Sequence, residues 1–362
     1  MLHILTVIGA RPQIIKAAAI SQAIHARFSE QVKETIVHTG QHYDMEMSQV
    51  FFDELGIPAP DFNLGIGSGE REEQIRKMVA ALEKILAKIN PDAILVYGDT
   101  NSTKAGAEAG KNTGIPVVHV EAGMRSFNNA MPEEQNRIYT DKISALLFSP
   151  TKTGVENLRN ENITSGVYHC GDVMYDNSLR FAAMAETKTN ILQRLKLSAG
   201  NYFLATVHRD FNADSPERLA SILNALEQIA KEFNCPVVFP VHPRTKKQMG
   251  NHLPENILFC PPVSFLEMIG LEKNAKLVLT DSGGVQKEAF FFKKPCVILR
   301  EETEWTELVD CGAAILAGAD EKKIIAAAEK LMQSNIEFPS IFGDGKAAEF
   351  ICSKMISDLA KR

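Results

Sequence analysis

Residues 280–288 read TDSGGVQKE and decide the fold class, because they describe a strand that turns directly into a helix. An apolar run ends at Leu279, and a helical pattern continues beyond Glu288. At a junction of this kind, free backbone N–H groups and the positive end of the helix dipole point at one spot. Gly283 and Gly284 let a phosphate approach the main chain, so the stretch predicts an anion site.

Two neighbouring side chains indicate which anion the site would take. Ser282 adds a hydroxyl to the turn, and Glu288 lies about one turn into the predicted helix, where its carboxylate could accept hydrogen bonds from ribose hydroxyls. The combination favours a nucleoside diphosphate over a bare phosphate. An alternative without a ligand stays open, since such turns also occur as simple connections between a strand and a helix.

Apolar strand-like runs alternate with helical patterns along the whole chain. The predicted strands are residues 4–8, 35–38, 93–97, 117–120, 146–148, 203–207, 237–241, 257–259, 277–279 and 297–299, and the clearest predicted helices are 12–27, 70–88, 216–232 and 321–332. Continuous apolar runs are typical of strands covered on both faces. Alternating strands and helices predict doubly wound parallel sheets, so the fold class is α/β with two Rossmann-like domains.

The length of 362 residues exceeds what one hydrophobic core usually serves. We expect an amino-terminal domain over 1–172, a second domain over 173–345, and a final helix over 346–362 that packs back toward the first domain. The boundary is placed in the more polar region 168–198. Ligands of such sheets bind at the carboxyl ends of the strands, where nearly every polar cluster of this chain is found.

Composition and charge exclude several classes of protein. The net charge of −6 argues against a general nucleic-acid binder, and no apolar run reaches the roughly 18 residues that a membrane span needs. The amino-terminal residues 1–7 have the pattern of a first strand and not of a signal peptide, so a cytoplasmic protein is expected. The six scattered cysteines form no CxxC pair, which predicts buried free thiols and no metal site.

A basic cluster follows the first strand, in the stretch GARPQIIK (9–16). Arg11 and Lys16 would lie near the amino end of a helix, which is unfavourable for cations unless an anion is present. The pair therefore indicates a phosphate or carboxylate ligand, with two solvated surface charges as the alternative. The stretch is not the GxGxxG fingerprint, so it gives no reason to infer NAD.

Three acidic residues stand at predicted strand ends or helix starts. Asp99 and Glu121 each end an apolar strand, and Glu133 opens a helix. Carboxylates that converge on one cleft suit acid/base chemistry, because neighbouring like charges separate their pKa values. Each has a structural alternative: Asp99 could cap the following helix, and Glu133 and Glu134 favour a helix amino terminus in any case.

Two histidines follow strands of the predicted second domain. His208 lies beside Arg209, and His242 lies within PVHPR (240–244). At a strand end a histidine can donate to phosphate or transfer a proton, although a lone histidine is more often structural. Two at equivalent strand ends favour the functional interpretation.

Nine motifs lie in order along the chain: GARPQIIK (9–16), TGQHYD (39–44), YGDTNST (97–103), HVEAGMRS (119–126), MPEEQNR (131–137), His208-Arg209, PVHPR (240–244), TDSGGVQKEA (280–289) and the segment around 300–304. Together they resemble the non-hydrolysing UDP-N-acetylglucosamine 2-epimerase family. The resemblance implies a GT-B-type architecture with the active site in the interdomain cleft. It also implies a UDP-amino-sugar substrate, no cofactor or metal, and a homodimer.

The same resemblance implies a reaction mechanism and a role for each motif residue. A base removes the proton at C2 while UDP leaves C1, and the 2-acetamidoglucal that forms is reprotonated on its other face. Asp99 and Glu121 are implied as the acid/base pair nearest C2, with Glu133 supporting. His208 is implied beside the UDP phosphates. The resemblance also implies binding roles for the other motif residues: Arg11, Ser282, Gly283 and Gly284 for the phosphates, Glu288 for the ribose, the backbone from Val263 to Met268 for the uracil, Lys16 and Arg137 near the sugar and the acids, and Arg300 and Glu304 near the sugar or phosphates. His242 is counted with the binding residues because of its place at a strand end.

Three positions depart from the better-known members of the family. Gln13 and Lys287 replace a common Glu, and Trp305 replaces an Arg after the Thr-Glu pair. These variants are similar to epimerases that act on UDP-2,3-diacetamido-2,3-dideoxyglucuronate, so that substrate stays open beside UDP-N-acetylglucosamine. Three further functions compete with these two: a hydrolysing epimerase, a GT-B glycosyltransferase and a nucleotide-sugar sensor.

Overall fold

A computed structural model describes residues 1–41, 58–249 and 254–359. The TGQHYD motif beyond Gln41, His252 and the end of the predicted final helix lie outside the described residues. Among the described residues, no helix combines the length and the apolar character that a membrane crossing requires.

The chain divides into two compact units. The first comprises Met1–Asn177 and Ser340–Arg362, and the second comprises Ser178–Pro339. Each unit is built around a parallel sheet, so the predicted α/β class with two Rossmann-like domains is confirmed.

The described residues of the first unit contain a seven-stranded sheet. Its strands are β1 (Leu2–Ile8), β2 (Val32–His38), β3 (Phe62–Asn63), β4 (Ala93–Tyr97), β5 (Val117–Val120), β6 (Leu146–Ser149) and β7 (Val167–His169). Their order is β3-β2-β1-β4-β5-β6-β7, and neighbouring strands are parallel. The order reverses between β1 and β4, which is the switch point where such sheets bind ligands.

Helices of the first unit follow the strands in alternation. They are α1 (Arg11–Ala23), which continues as a π-helical turn (Ile24–Phe28), α2 (Arg71–Ile89), α3 (Asn101–Thr113), α4 (Pro132–Ile143), α5 (Lys152–Asn160) and, across the boundary, α6 (Val173–Lys188). The final helix of the chain, Ala347–Leu359, belongs to this unit and packs against α1.

The second unit repeats the same plan with a six-stranded sheet. Its strands are β8 (Phe203–Thr206), β9 (Val237–Pro240), β10 (Ile257–Cys260), β11 (Leu277–Thr280), β12 (Cys296–Ile298) and β13 (Ala314–Leu316). The order is β10-β9-β8-β11-β12-β13, again parallel, with the switch point between β8 and β11. Its helices are α7 (Ile191–Arg194), α8 (Asp210–Ala213), α9 (Pro216–Glu232), α10 (Pro243–Gln248), α11 (Phe265–Asn274), α12 (Gly283–Phe291), α13 (Thr306–Asp310) and α14 (Glu321–Gln333); the final helix is α15.

Local sequence explains most helix boundaries. The Ser282 hydroxyl accepts a hydrogen bond from Val285 N and caps α12, and Ser264 caps α11 with a reciprocal bond from Glu267. The helix after Asp99 is capped by Thr100, so the structural alternative for Asp99 is wrong. A side chain of Thr, Ser or Asp at the cap satisfies donors that the first turn leaves unpaired.

Every predicted strand and helix is present, with shifts of a few residues at the ends. Within the part of the chain that the structure describes, three short strands were not predicted: β3, β7 and β13. They lie at sheet edges and contain two or three residues each, too few for a hydrophobic period to stand out. All six cysteines are free thiols; four are buried as expected, but Cys170 and Cys311 are half-buried.

Candidate active site

An ion pair joins Lys16 and Glu121 at the switch point of the first unit. Lys16 Nζ lies 2.5 Å from Glu121 Oε2, and only 12% and 13% of the two side chains are exposed. Glu121 follows β5 directly and has a φ of 72°, a left-handed conformation that is uncommon for a residue other than glycine. Such strain persists where surroundings impose it and is concentrated at functional sites.

The same lysine reaches the residue that precedes Asp99. Gly98 has a φ of 63°, and a Cβ at this position would lie 3.0 Å from Lys16 Nζ. The Glu121–Lys16 pair and the backbone that leads into Asp99 are therefore neighbours. Two of the three predicted acids thus stand on adjacent strands of the sheet, at one end.

A second ion pair joins Asp99 and Arg137. Arg137 Nη2 lies 2.6 Å from Asp99 Oδ2, and Nη1 lies 2.7 Å from Glu134 Oε2. The Asn136 amide on the same helix, α4, donates to the Asp99 carbonyl oxygen at 2.8 Å. Each of the two strand-end carboxylates therefore faces its own cation.

Glu134 is used to hold the preceding loop. It is 1% exposed and accepts hydrogen bonds from Ser126 N, Ser126 Oγ and Phe127 N at 2.9 to 3.1 Å. Burial alone would raise the pKa of Glu134, but these donors and Arg137 outweigh it and lower the pKa. Glu133 and Glu134 both lie in the first turn of α4, as expected, and Glu134 in addition holds the loop. The Glu133 side chain is exposed.

A buried network beneath the acids was not singled out from the sequence. His119 Nδ1 lies 2.7 Å from Asp141 Oδ1, and Nε2 lies 2.8 Å from the Gly98 carbonyl oxygen. Arg125 pairs with the other Asp141 oxygen at 2.8 Å. Burial opposes ionisation of Asp141, yet the charges and hydrogen bonds of His119 and Arg125 lower its pKa. His119 thus ties the strand of Glu121 to the backbone before Asp99.

Gln13 joins three elements of the first unit. Its Oε1 accepts hydrogen bonds from Gly9 N and Ala10 N, and its Nε2 donates to the Tyr97 carbonyl and to Thr103 Oγ1 at 2.9 to 3.2 Å. An amide supplies acceptors and donors together, which an ionised carboxylate cannot do. This gives the departure at position 13 a structural reason.

Asp281 organises the strand ends of the second unit. It is completely buried and accepts hydrogen bonds from His208 N and Arg209 N at 3.1 Å and from Asn212 Nδ2 at 3.2 Å. Thr280 Oγ1, one residue earlier, lies 2.6 Å from Thr206 Oγ1 on the facing strand. Asp281 lies within the motif TDSGGVQKEA, but the sequence analysis assigned it no role of its own, although it stands at the end of an apolar run as Glu121 does.

The two predicted histidines of the second unit are brought together. The ring centroids of His208 and His242 lie 5.8 Å apart, and His208 Nδ1 lies 3.3 Å from Asp281 Oδ1. Burial lowers the pKa of His208; Asp281 opposes that shift, and Arg209 and His242 add to it. His242 is exposed and caps α10, since its Nδ1 accepts a hydrogen bond from Arg244 N at 3.2 Å.

The amino end of α12 is lined by a carboxylate and a guanidinium. Arg300 Nη1 lies 3.1 Å from Glu304 Oε2, and a Cβ added at Gly283 would collide with Glu304 Oε1. The glycine therefore leaves room for the Glu304 carboxylate in its present position. Ser282, Gly283, Arg300 and Glu304 therefore lie close together at the amino end of α12.

The remaining predicted binding residues differ in exposure. Arg11, at the start of α1, and Gly284, in the first turn of α12, are exposed, whereas Glu288 is buried. Val263 and Met268 are half-buried on either side of the cap of α11.

The chain matches a known protein family over most of its length. The profile of a family described as UDP-N-acetylglucosamine 2-epimerase matches residues 24–356. This chain belongs to the UDP-N-acetylglucosamine 2-epimerase family. The family inferred from the nine motifs is therefore confirmed, and the chain is an enzyme of the isomerase class.

Relatives and solved structures of the epimerase family cover nearly the whole chain. A UDP-N-acetylglucosamine 2-epimerase homolog of Methanococcus maripaludis is 49% identical, over 96% of this chain and 97% of the relative. The UDP-2,3-diacetamido-2,3-dideoxy-D-glucuronate 2-epimerase of Pseudomonas aeruginosa is 46% identical, over 97% and 98%. A crystal structure of the Methanocaldococcus jannaschii UDP-GlcNAc 2-epimerase with UDP-GlcNAc and UDP has a TM-score of 0.84 and 40% identity, over 98% and 99%.

Proposed function

We propose that this chain inverts C2 of a UDP-2-acetamido sugar without hydrolysing it, converting UDP-N-acetylglucosamine to UDP-N-acetylmannosamine. The observation that carries the proposal is the presence of two strand-end carboxylates, each with its own cation: Glu121 with Lys16 and Asp99 with Arg137. Inversion of a carbon needs a proton acceptor on one face and a proton donor on the other, and two such carboxylates supply both.

The reaction proceeds by elimination and re-addition. One carboxylate takes the C2 proton, the C1–O bond breaks, and UDP leaves with the bonding electrons, which gives a 2-acetamidoglucal. The UDP oxygen then adds back to C1 while the second group delivers a proton to the opposite face of C2. We assign Glu121 and Asp99 to these steps and Glu133 to a supporting role; Lys16 and Arg137 hold the carboxylates and counter the charge that develops.

UDP binding is assigned mainly to the second unit. A diphosphate that leaves and returns needs preorganised positive charge and N–H donors. The amino end of α12 with Ser282 and the glycines, together with His208, supports phosphate binding there. The other proposed contacts are Arg11 and His242 to phosphate, Glu288 to the ribose, the backbone from Val263 to Met268 to the uracil, and Arg300 and Glu304 to the sugar or phosphates.

A second substrate is supported by a specific relative. The Pseudomonas aeruginosa epimerase, which is named for UDP-2,3-diacetamido-2,3-dideoxy-D-glucuronate, is 46% identical to this chain, whereas the Methanocaldococcus jannaschii enzyme crystallised with UDP-GlcNAc is 40% identical. The chemistry at C2 is the same for both sugars, so the proposed roles of Glu121 and Asp99 do not depend on this choice. The resemblance also supports a cytoplasmic homodimer, and sedimentation of the purified protein tests the assembly.

The test is proton NMR of the purified protein with UDP-N-acetylglucosamine in D2O. Loss of the H2 signal with new UDP-N-acetylmannosamine resonances is expected. Free N-acetylmannosamine would instead establish a hydrolysing epimerase. Absence of exchange with this sugar, followed by exchange with the diacetamido uronate, would establish the second substrate, and absence with both would contradict the proposal.

A matched pair of variants tests the acid/base assignment. Glu121→Gln is expected to lower turnover by at least about 1,000-fold with little change in UDP affinity, because it removes proton transfer but no phosphate contact. The control is Glu349→Gln on α15, which also removes an ion-paired carboxylate, 3.0 Å from Arg27. Near wild-type turnover of Glu121→Gln would remove this residue from the acid/base set.

A further inference from the structure

The segment 300–305 contacts α12 at three points. The Glu304 carboxylate lies against Gly283, Thr303 Oγ1 donates to Gln286 Oε1 at 2.7 Å, and Trp305 lies beneath Lys287. Positions 283, 286 and 287 are spaced as i, i+3 and i+4, which places them on one face of a helix. The segment therefore runs along the first two turns of α12.

The third contact is a buried cation–π pair. Lys287 Nζ lies 4.0 Å from the centroid of the Trp305 ring, and the two residues are 3% and 5% exposed. An ammonium over an indole face is attracted by the ring quadrupole, most strongly where water is excluded. Lys287 and Trp305 are also two of the three positions that depart from better-known family members, and here they contact each other.

The contacts follow one another along the helix axis of α12. Arg300 and Glu304 lie at the amino end of α12 and pair with each other at 3.1 Å, whereas Trp305 lies one turn further along the helix. The Trp305 backbone N–H also donates to Thr303 Oγ1 at 3.1 Å. Removal of the Lys287–Trp305 contact would therefore weaken the attachment of the far end of the segment that carries Glu304.

We propose that Lys287 and Trp305 are positioning residues, which hold Arg300 and Glu304 at the amino end of α12 and so prepare the phosphate end of the nucleotide site. This inference rests on the proposed function. Apparent affinity falls in proportion to the fraction of molecules in the binding-competent arrangement. A looser segment thus weakens nucleotide binding although neither Lys287 nor Trp305 need touch the ligand.

Trp305 is the single tryptophan of the chain, so tryptophan emission reports on the surroundings of this residue, which include Lys287. Titration of the full-length protein with UDP is expected to give a saturable change in tryptophan emission. Its midpoint should equal the dissociation constant from calorimetry. Heat of binding without any change in emission would overturn this inference and leave the proposed function standing. Absence of UDP binding by calorimetry would overturn both.

Variants separate positioning from a general effect on folding. Lys287→Met is expected to weaken UDP binding about tenfold and to raise KM for the UDP-sugar more than it lowers kcat. Lys287→Arg keeps a cation over the indole and should restore most of the affinity. The matched control is Lys354→Met, which removes a cation 4.9 Å from the ring of Tyr168 in the first unit and should leave UDP affinity unchanged.

A second substitution covers the case in which Lys287→Met does not fold. Trp305→Phe keeps an aromatic face and should fold, as circular dichroism would show, while UDP binding weakens about three- to tenfold. Wild-type affinity in folded Lys287→Met or folded Trp305→Phe would overturn the inference. Equal loss in Lys287→Met and Lys287→Arg would also overturn it, because the charge on Lys287 would then be irrelevant.

Discussion

At the scale of single residues, the positions of Glu121 and Asp99 depend on neighbouring side chains that hydrogen-bond to the backbone at the strand ends. Gln13 joins the turn after β1 to the end of β4, and His119 joins β5 to the same strand end. Neither residue is assigned to the chemistry. Their substitution should therefore first affect the free energy of unfolding and the placement of Glu121 and Asp99.

Gln13→Met is expected to lower the free energy of unfolding by about 2–3 kcal/mol, because the buried N–H groups of Gly9 and Ala10 lose their acceptor. The Tyr97 carbonyl keeps its hydrogen bond from Thr103 Oγ1. Urea denaturation measures the change. Gln333→Met, at the exposed end of α14, removes an amide of the same size and should change stability by less than about 0.5 kcal/mol. Equal losses in the two variants would contradict the role of Gln13.

His208 should make UDP binding depend on pH. Burial lowers its pKa below the ordinary value of 6.5, so the free protein holds a mostly neutral ring at pH 7. A bound phosphate favours the protonated ring and raises the pKa. A group whose pKa rises on binding contributes affinity at low pH and loses that contribution as pH rises through the pKa of the complex.

UDP affinity is therefore expected to fall as pH rises from about 6 to 8, with proton uptake on binding. Calorimetry in buffers of different ionisation enthalpy measures the uptake. His208→Gln serves as the control, since it keeps the titration of the UDP phosphate and removes that of the ring. An unchanged proton uptake in the variant would show that His208 is not the linked group.

At the scale of secondary-structure elements, three features meet at α12. Ser282 caps the helix, the Glu304 carboxylate lies close to Gly283, and the segment 300–305 packs along the first two turns. The carboxylate of Glu304 fills the space beside Gly283, the first residue of the helix. Gly283→Ala would therefore displace Glu304 and its partner Arg300 from the amino end of the helix. The effect should appear in nucleotide binding more than in stability, since alanine is the better helix former.

Gly283→Ala is expected to weaken UDP binding at least tenfold by calorimetry, which corresponds to a loss of about 1.4 kcal/mol or more. The control is Gly69→Ala, where an added methyl group would meet nothing within 4 Å. If both variants bind UDP like the wild type, the space beside Gly283 is not needed for the nucleotide.

Helices and strands could be predicted from the sequence where their hydrophobic pattern involves only neighbouring residues. The strand β4 is an unbroken apolar run, β1 and β11 are mainly apolar, and α9 has a clear helical period, so the sequence predicts all four within a residue or two. The edge strand β3 has two residues and forms because β2 lies beside it. That pairing depends on a partner far along the chain, which no local pattern encodes.

At the scale of the whole molecule, the final helix is attached to the first unit through Asp176. Its carboxylate accepts hydrogen bonds from Ala347 N and Ala348 N at 3.2 and 2.8 Å. Burial raises the pKa of Asp176 to about 6, although these bonds oppose the shift. The folded protein thus binds a proton that the unfolded chain releases near its ordinary pKa of 3.8.

Because the folded state holds more protons between pH 4 and 6, the contribution of Asp176 to stability is lost as pH rises through that window. Between pH 4 and pH 6, the wild type is expected to lose about 2 kcal/mol of unfolding free energy relative to Asp176→Asn. Thermal and urea unfolding at several pH values measure it. Parallel stability curves for the two proteins would contradict the prediction.

The sequence by itself determined the α/β class and the chain positions of the acid and anion motifs, because apolar runs, turn residues and helix caps act over a few neighbouring residues. The order of the nine motifs along the chain indicated the family. The candidate site residues follow partly from residue type at strand ends, as for Asp99 and Glu121, and partly from the resemblance to the family, as for Arg300 and Glu304. Their roles stay predictions that the experiments above test.

Only the tertiary structure decided which side chains meet. Lys16 faces Glu121, His119 faces Asp141, and Lys287 covers Trp305, although the partners lie far apart in the sequence or on different elements. Strand order and helix packing bring such pairs together, and the low dielectric of the interior makes their charges matter. Neither condition can be read from a local pattern of residues.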